Sequence, residues 1–289
     1  MSTVVITGAN RGIGLATAVT LARAGHTVIA AIRNVSTDGE LRKLALAEHL
    51  RVDVVPLDVT DDASVVEAFE GMRQKYGHID VLVNNAGISG GGSVEETPQE
   101  QFREVMETNF FGSLRCIKAV AADMRQRRGG TIVNISSVSG RIASAPQAAY
   151  AASKFAIEAL SEVLAQELKL FNVRVAIIEP GVIDTAIVGS GAKSAPKDSP
   201  YPQARRLLAV YEATKSQQSR TSPYVVGKQI LDIIDGDSWQ LRYPVGPDAE
   251  QFLRYRAGKS DEAMVSMAGA SDAEYIALMK KEFGLDVRL

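Results

Sequence analysis

The chain alternates between short runs of high β-propensity and segments with helical periodicity, and this alternation constrains its fold more than any other feature. Apolar residues recur at helical spacing between the first six runs, as in residues 63–76. Such alternation produces parallel βαβ units, because two parallel strands need a long crossover between them. The predicted strands are residues 3–7, 27–32, 52–57, 81–84, 131–136, 173–178 and 239–243.

Several of the predicted strands are apolar on both sides. Residues 81–83 and 132–135, for example, lack the clean alternation that one solvent-exposed face would require. The sequence therefore predicts an α/β fold of Rossmann type, with a doubly wound, mostly parallel seven-stranded sheet and helices on both faces. Ligands of such sheets bind beyond the carboxyl ends of the strands, so functional residues are expected there.

The whole chain, residues 1–289, is expected to form a single domain, since its length is ordinary for one helix-covered sheet. A stretch rich in glycine and proline interrupts the alternation after the sixth strand. Its position favours a substrate lid at about residues 182–220, with a mobile spacer as the alternative. Helix-like patterns at residues 250–256 and 273–283 predict a C-terminal helical extension at about residues 246–289.

Composition argues against several classes of function. The chain is 46% hydrophobic and 23% charged, with a formal net charge of -2 and no basic block, so neither nucleic-acid nor anionic-membrane binding is expected. No stretch approaches the roughly 20 apolar residues of a membrane span, and no secretory leader precedes the first strand, which predicts a cytoplasmic protein. The single cysteine, Cys116, is expected to be a buried structural thiol. His26, His49 and His78 form no ligand-like cluster, so no metal site is expected.

A glycine-rich turn directly follows the first predicted strand and precedes a helical pattern. Its sequence is Thr7-Gly8-Ala9-Asn10-Arg11-Gly12-Ile13-Gly14, with Gly-x3-Gly-x-Gly spacing. Glycines let such a turn approach a pyrophosphate, and the helix N-terminus supplies unpaired N–H donors and a favourable dipole. A purely structural turn is the alternative.

Tyr150 and Lys154 lie four residues apart at the start of a strong helical pattern over residues 150–171, so both side chains project from one face. Such a pair is common by chance, and an ordinary solvated helix face is the alternative. An adjacent ammonium favours the phenolate, however, and is expected to bring the pKa of the tyrosine toward the range useful for acid–base catalysis.

Three further elements complete an ordered set of motifs. Asn84-Asn85-Ala86-Gly87 ends one strand, Ser137 lies thirteen residues before Tyr150, and Pro180-Gly181 follows the sixth strand. In order and spacing this set, which covers about residues 3–185, resembles the short-chain dehydrogenase/reductase family. The resemblance implies a Rossmann enzyme that transfers a hydride between a nicotinamide cofactor and a carbonyl or alcohol.

The resemblance also implies roles for individual residues. Tyr150 corresponds to the family's proton donor and base, and Lys154 to the residue that lowers the tyrosine pKa and holds the nicotinamide ribose. Ser137, rather than Ser136, corresponds to the residue that binds the substrate oxygen. Asn109 corresponds to the asparagine that supports a water-mediated proton relay. The implied cofactor-binding residues are Gly8, Asn10, Arg11, Gly12, Ile13, Gly14, Arg33, Asp58, Val59, Asn85, Ala86, Gly87, Tyr150, Lys154, Pro180, Gly181 and Thr185.

The end of the second strand bears on the choice between NAD and NADP(H). NAD-specific relatives carry an acidic residue where this chain has Ile32, followed by Arg33. Together with Arg11 in the glycine turn, Arg33 predicts recognition of the 2′-phosphate of NADP(H), with plain surface charges as the alternative. By the resemblance, Asp58 contacts the adenine and Thr185 the carboxamide side of the nicotinamide.

These observations predict an NADP(H)-dependent oxidoreductase that interconverts a ketone or aldehyde and an alcohol. The substrate is expected to be bulky and hydrophobic, because the lid and the extension offer apolar residues such as Ile183 and Phe252. A non-catalytic NADP(H)-binding sensor or partner-binding module is the alternative. Residues 101–127 and 150–171 match the helices that form the family's dimer, which predicts a homodimer whose extension prevents a tetramer.

Overall fold

The computed structural model describes residues 1–187, 198–217 and 221–289. Its centre is one seven-stranded sheet in the order β3-β2-β1-β4-β5-β6-β7, and every strand pair is parallel. The strand order reverses between β1 and β4, which confirms the predicted doubly wound topology. The strands are β1 (Thr3–Thr7), β2 (Thr27–Ile32), β3 (Val52–Pro56), β4 (Val81–Asn84), β5 (Gly130–Ile135), β6 (Val173–Pro180) and β7 (Arg242–Val245).

Helices connect and cover the strands. The α-helices of the described residues are α1 (Gly12–Arg23), α2 (Gly39–Ala47), α3 (Asp62–Tyr76), α4 (Gln99–Met106), α5 (Gly112–Arg127), α6 (Ala148–Leu168), α7 (Gln203–Gln217), α8 (Tyr224–Asp235), α9 (Ala249–Ala257), α10 (Asp261–Ala268) and α11 (Asp272–Phe283). A π-helical turn, Glu107–Phe111, separates α4 from α5 and interrupts the single helix expected over residues 101–127. Within the described ranges, no helix is long and apolar enough to cross a membrane.

The two faces of the sheet carry separate apolar cores, because successive strand residues point to opposite sides. Ile6 faces a core completed by α1, α2 and α8, whereas its neighbour Val5 faces a core completed by α3, α5 and α6. Cys116 lies in the second core, where burial raises the pKa of its thiol to about 12 although Arg115 lowers it. The thiol is therefore buried and unreactive, as expected.

The last strand begins three residues later than the sequence predicts. The prediction is residues 239–243, but the strand runs over Arg242–Val245 and pairs Tyr243 with Ile178. Trp239 instead donates its indole N–H to the Val175 carbonyl at 2.8 Å. The Trp239 side chain, whose residue type favoured a strand at this position, thus contacts β6. Trp239 itself takes no part in the backbone pairing of β7.

The predicted lid and extension are more helical than the sequence indicates. Helix α7 lies within the predicted lid, and its Ala209, Val210 and Ala213 pack against Phe283 in a small core of their own. The periodicity misses α10, whose Val265 is largely exposed and leaves no apolar stripe to detect. Residues 188–197 and 218–220 of the predicted lid lie outside the described residues, and the single-domain organisation stays a prediction.

Helices α1 and α8 pack closely against each other beside the first core. A Cβ added at Gly227 of α8 would lie 2.8 Å from the Thr20 hydroxyl oxygen and 3.0 Å from the Ala16 carbonyl oxygen of α1. Glycine at this position therefore permits the close approach of the two helices.

We expect Gly227→Ala to lower the free energy of unfolding by about 1–3 kcal/mol, because the added methyl group overpacks the helix contact. Gly71→Ala is the matched control, since Gly71 lies within α3 and an added Cβ meets nothing within 4 Å. The higher helix propensity of alanine should stabilise that variant by up to about 1 kcal/mol. Urea denaturation measures both changes, and effects of the same sign would contradict the packing role of Gly227.

Candidate active site

The glycine turn between β1 and α1 requires its glycines for two different reasons. Gly8 and Gly12 have φ values of +66° and +56°, in the left-handed region that favours glycine. Gly14 is needed for space, because an added Cβ would lie 2.4 Å from the Gly8 carbonyl oxygen and 2.5 Å from Asn85 Nδ2. The turn is therefore compact and leaves its backbone accessible to a ligand beyond the end of β1.

The loop that follows β4 is fastened to this turn. The Asn85 and Ala86 amides donate to Thr7 Oγ1 at 3.0 and 2.9 Å. In the opposite direction, Asn85 Nδ2 donates to the carbonyl oxygens of Thr7, at 2.8 Å, and Gly8, at 3.1 Å. The Asn-Asn-Ala-Gly element thus shapes the crevice where the strand order reverses.

A third segment, after β6, closes the other side of the crevice. Thr185 approaches the glycine turn, since a Cβ on Gly12 would lie 3.3 Å from Thr185 Cγ2. The Thr185 hydroxyl oxygen is buried and has no hydrogen-bond partner among the described residues. A buried polar group without a partner is costly unless a ligand satisfies it. This hydroxyl is therefore a candidate ligand-binding group between the glycine turn and the end of β6.

Asp248 supports this third segment and was not predicted from the sequence. Its Oδ2 accepts a hydrogen bond from the Val182 amide at 2.7 Å, and a Cβ on Gly181 would lie 2.4 Å from its Oδ1. Burial raises the pKa of Asp248, although the Val182 amide lowers it. The sequence does not indicate this contact. Asp248 immediately precedes α9 in the C-terminal extension and is distant in sequence from the motifs.

The residues predicted to bind the adenosine end lie around the ends of β2 and β3. Asn10 Nδ2 donates to Thr37 Oγ1 at 2.9 Å. Burial opposes ionisation of Asp58, but hydrogen bonds from Thr60 and the nearby Arg33 guanidinium hold its pKa below the usual range. Ile32 is buried, whereas Arg33 is exposed and Arg11 in the glycine turn is exposed as well. Both guanidinium groups are therefore accessible from solvent.

Ser137, Tyr150 and Lys154 come together at the carboxyl end of β5. The Lys154 ammonium donates to the Ile135 carbonyl at 2.7 Å and lies 5.5 Å from the centroid of the Tyr150 ring. Ser137 Oγ accepts the Ser139 amide at 3.1 Å and also hydrogen-bonds to the Tyr150 phenol. The three polar side chains that the sequence spacing selects therefore meet in one place.

The electrostatics of this centre differ from the sequence-based expectation. Burial raises the pKa of Tyr150 to about 12, and Ser137 rather than Lys154 supplies the hydrogen bond that opposes the rise. Burial likewise lowers the pKa of Lys154 to about 8, with Glu158 one turn further along α6 raising it. The groups that shift the pKa of Tyr150 here are its burial, Ser137 and Tyr211, and a lowering by Lys154 stays a prediction.

Asn109 lies in the π-helical turn, and its side chain makes three hydrogen bonds. Its Oδ1 accepts the Ile88 amide at 2.8 Å, while its Nδ2 donates to the Ile88 carbonyl at 3.0 Å and to Ser153 Oγ at 2.9 Å. Ser153 precedes Lys154 on α6. The side chain of Asn109 therefore joins the loop after β4 to α6, and its part in a proton relay stays a prediction.

A second tyrosine reaches this centre from the lid. Tyr211 of α7 accepts a hydrogen bond from Gln147 Nε2 at 2.9 Å, and Gln147 lies three residues before Tyr150. Helical spacing from Tyr150 could have indicated Gln147, whereas nothing in the sequence indicates Tyr211. Two residues proposed from the sequence to line an apolar pocket have other contacts: Ile183 packs in the sheet core, and the Phe252 ring stacks on Phe283 at 4.9 Å.

Comparisons with known proteins identify the same family that the motifs and the fold indicate. A family model of the short chain dehydrogenases matches residues 2–195. The uncharacterized oxidoreductase YusZ of Bacillus subtilis is 37% identical over 260 residues, which are 88% of this chain and 92% of that protein. The 3-ketodihydrosphingosine reductase of Bacteroides thetaiotaomicron is 35% identical over 84% of this chain and 87% of its own length.

Two solved structures have the same fold as this chain. A short-chain dehydrogenase from Streptomyces avermitilis superposes with a TM-score of 0.77 at 33% identity, covering 93% of this chain and 95% of that one. An actinorhodin polyketide ketoreductase crystallised with NADPH has a TM-score of 0.74 at 27% identity, covering 86% and 97% of the two chains. The chain therefore belongs to the short-chain dehydrogenase/reductase family of oxidoreductases.

Proposed function

We propose that this protein is an NADP(H)-dependent enzyme that interconverts a ketone or aldehyde and the corresponding alcohol. The observation that carries the proposal is the meeting of Ser137, Tyr150 and Lys154 beside a crevice lined by the glycine turn and Thr185. A non-catalytic NADP(H)-binding module would have no use for a buried lysine and a protonated phenol at the mouth of this crevice.

The residues of the crevice fit a nicotinamide dinucleotide. The backbone of residues 8–14 would hold the pyrophosphate, Asp58 the adenine, and the unpartnered Thr185 hydroxyl the nicotinamide carboxamide. Lys154 uses one of its three N–H groups on Ile135, so two remain for ribose hydroxyls. When bound, the cofactor supplies or accepts the hydride.

The side chains of the protein act on the oxygen of the substrate carbonyl. Because burial keeps the Tyr150 phenol protonated at neutral pH, it serves as the proton donor during carbonyl reduction. Ser137 accepts the Ser139 amide, which leaves its own proton to bond to the same oxygen. The two hydroxyls stabilise the negative charge that develops on the oxygen as the hydride arrives.

We expect Tyr150→Phe to retain NADPH binding and to lower kcat/KM by about 10²–10⁴-fold or more, because the general acid is lost. Ser137→Ala should be severely impaired as well. Ser136→Ala is the control, since Ser136 Oγ is buried, lacks a partner among the described residues and lies beside Gly140. NADPH oxidation with a panel of ketones measures activity, and a greater loss in Ser136→Ala would show that the wrong serine was assigned.

NADP(H) is the proposed cofactor because the end of β2 lacks an acid and two exposed arginines lie nearby. An acidic residue there would bond the ribose 2′-hydroxyl and repel a 2′-phosphate. Here Ile32 is buried in the core and Arg33 projects to solvent beside Asp58, while Arg11 leaves the glycine turn. Charge-assisted hydrogen bonds to phosphate strengthen binding by about 1.5–3 kcal/mol each.

The double variant Ile32→Asp, Arg33→Ala should bind NADH more tightly than NADPH, reversing the preference of the wild type. Arg51→Ala is the control, because Arg51 is an exposed arginine that precedes β3 and leaves the crevice unchanged. Fluorescence titration with both cofactors at moderate salt measures the dissociation constants. Equal affinity of the wild-type protein for NADH and NADPH would refute the proposal.

The proposed substrate is bulky and hydrophobic. Ile183 and Phe252 do not support this, because both pack in cores. Support comes from similarity to a relative named as a 3-ketodihydrosphingosine reductase, which matches most of this chain. We also propose that the enzyme acts in the cytoplasm, consistent with its single buried cysteine.

We further propose that the protein is a homodimer formed through α5 and α6. Exposed apolar side chains lie on these helices and the π-helical turn before them, where Phe111, Phe155 and Val163 are 42%, 43% and 52% exposed. Helix α9 contacts β7, the strand at the end of the sheet that, by the family resemblance, a tetramer would use. An isologous pairing of the exposed faces buries these residues.

Light scattering should give a mass of about twice the 31.0 kDa of one chain. Val163→Glu should shift the mass toward the monomer, because it buries an unpaired charge in the proposed interface. Val66→Glu is the matched control, since Val66 is 56% exposed on α3, away from that interface. A stable tetramer, or a dimer that both variants leave intact, would contradict this arrangement.

A further inference from the structure

A buried carboxylate lies one helical turn beyond Lys154. Lys154 and Glu158 are four residues apart on α6, so their side chains leave the same face of the helix. Both residues are buried, with exposed fractions of 6% and 4%. Charged groups are rarely buried unless groups of opposite charge stabilise them. The charge of each residue is therefore set by the groups packed around it.

Glu158 belongs to a cluster of charged side chains from four segments of the fold. Arg242 Nε of β7 donates to Glu158 Oε2 at 2.9 Å and lies 3.3 Å from Glu179 Oε1 of β6. Arg242 also pairs with Glu162, whose side chain is half-exposed on α6. From the loop after β5, Arg141 donates to Glu179 Oε1 at 3.2 Å. Three carboxylates thus share two guanidinium groups, which gives the cluster a formal excess of one negative charge.

The carboxylate of Glu158 and the ammonium of Lys154 lie against neighbouring residues at the end of β5. Glu158 Oε1 is buried, has no hydrogen-bond partner among the described residues and would lie 3.2 Å from a Cβ added at Gly140. The same Cβ would lie 2.5 Å from Ser136 Oγ. Ser136 directly follows Ile135, whose carbonyl oxygen accepts the hydrogen bond from Lys154. The negative cluster therefore lies beside the ammonium.

The electrostatics of these groups agree with their placement. Burial lowers the pKa of Lys154 to about 8, and Glu158 raises it. Burial and Glu158 raise the pKa of Glu179, which the two arginines of the cluster lower. Tyr150 adds no negative charge at neutral pH, because burial raises the pKa of its phenol to about 12. Glu158 is therefore the anion that opposes the effect of burial on Lys154.

We propose that Glu158 is a positioning residue, whose buried carboxylate keeps the Lys154 ammonium charged. The consequence for catalysis rests on the proposed function, in which Lys154 holds the nicotinamide ribose. A charged ammonium makes stronger hydrogen bonds than a neutral amine, both to the Ile135 carbonyl and to ribose hydroxyls. Arg242 in turn stabilises the carboxylate of Glu158, so β7 supports the charge on α6.

The charge of Lys154 can be measured directly in the cofactor-free enzyme. Lysine labelled with ¹³C at Cε reports its protonation by NMR, and comparison with Lys154→Met identifies the Lys154 signal. The wild type should titrate at about pH 8. Glu158→Gln should move the midpoint down by about one pH unit, a tenfold loss of proton affinity, because the opposing charge is removed.

Two further variants separate the charge of Glu158 from its packing. Glu158→Asp keeps the charge, so its midpoint should stay close to that of the wild type. Glu162→Gln is the matched control, since Glu162 also pairs with Arg242 but is half-exposed, and water screens its charge. Its midpoint should equal that of the wild type. A midpoint that Glu158→Gln leaves unchanged, or that both glutamine variants move equally, would overturn the inference.

The pH dependence of activity separates failure of the inference from failure of the proposed function. With a ketone that the wild type reduces, kcat/KM should fall at high pH as Lys154 loses its proton. This fall should occur at lower pH in Glu158→Gln and at the wild-type pH in Glu162→Gln. An NMR midpoint that moves while the fall in kcat/KM does not would support the effect of Glu158 on Lys154 and refute the proposed role of the ammonium in the reaction.

Discussion

The hydrogen bonds between the loops after β1 and β4 are the interaction on which the site depends. Thr7 Oγ1 accepts two amides from the β4 loop, and the Asn85 side chain returns two bonds to the glycine turn. These loops lie where the strand order reverses, so crossovers on either side leave toward opposite faces and a crevice opens between them. The left-handed Gly8 is fixed from two sides, since its amide donates to the Ala31 carbonyl at 2.8 Å and its carbonyl oxygen accepts from the Asn85 side chain.

The catalytic helix is oriented by polar contacts from several directions. Its Ser153 binds Asn109, its Lys154 binds the end of β5, and its Ser161 receives a hydrogen bond from Asn134, which in turn accepts one from Asn84 at 2.8 Å. Buried amide and hydroxyl groups need hydrogen-bond partners. These contacts therefore fix the rotation of α6 about its axis and its position along that axis more strictly than apolar packing alone. Tyr150 is therefore positioned by the sheet and by the π-helical turn together.

The sequence predicts those parts of the molecule that depend on local pattern. Six strands and the glycine turn follow from periodicity and spacing, because each is set by residues close in the chain, whereas the meeting of Ser137 with Tyr150 was implied by the family resemblance. The seventh strand was misplaced because Trp239 has high β-propensity but bonds laterally to β6. Asp248 and Tyr211 were missed, since their contacts depend on how the extension folds back over the sheet. Burial has the largest effect on the pKa values of Tyr150 and Lys154, and the sequence gives the spacing of these two groups but not their burial.

The bond between Asp248 and the Val182 amide couples two regions that are far apart in the chain. The segment after β6 cannot withdraw from the crevice without leaving a buried carboxylate unpaired, and α9 cannot detach without releasing that segment. Local unfolding of the extension and loss of order at Thr185 are therefore expected to be coupled. By thermodynamic linkage, a ligand that engages Thr185 should then protect the C-terminal helices from hydrogen exchange.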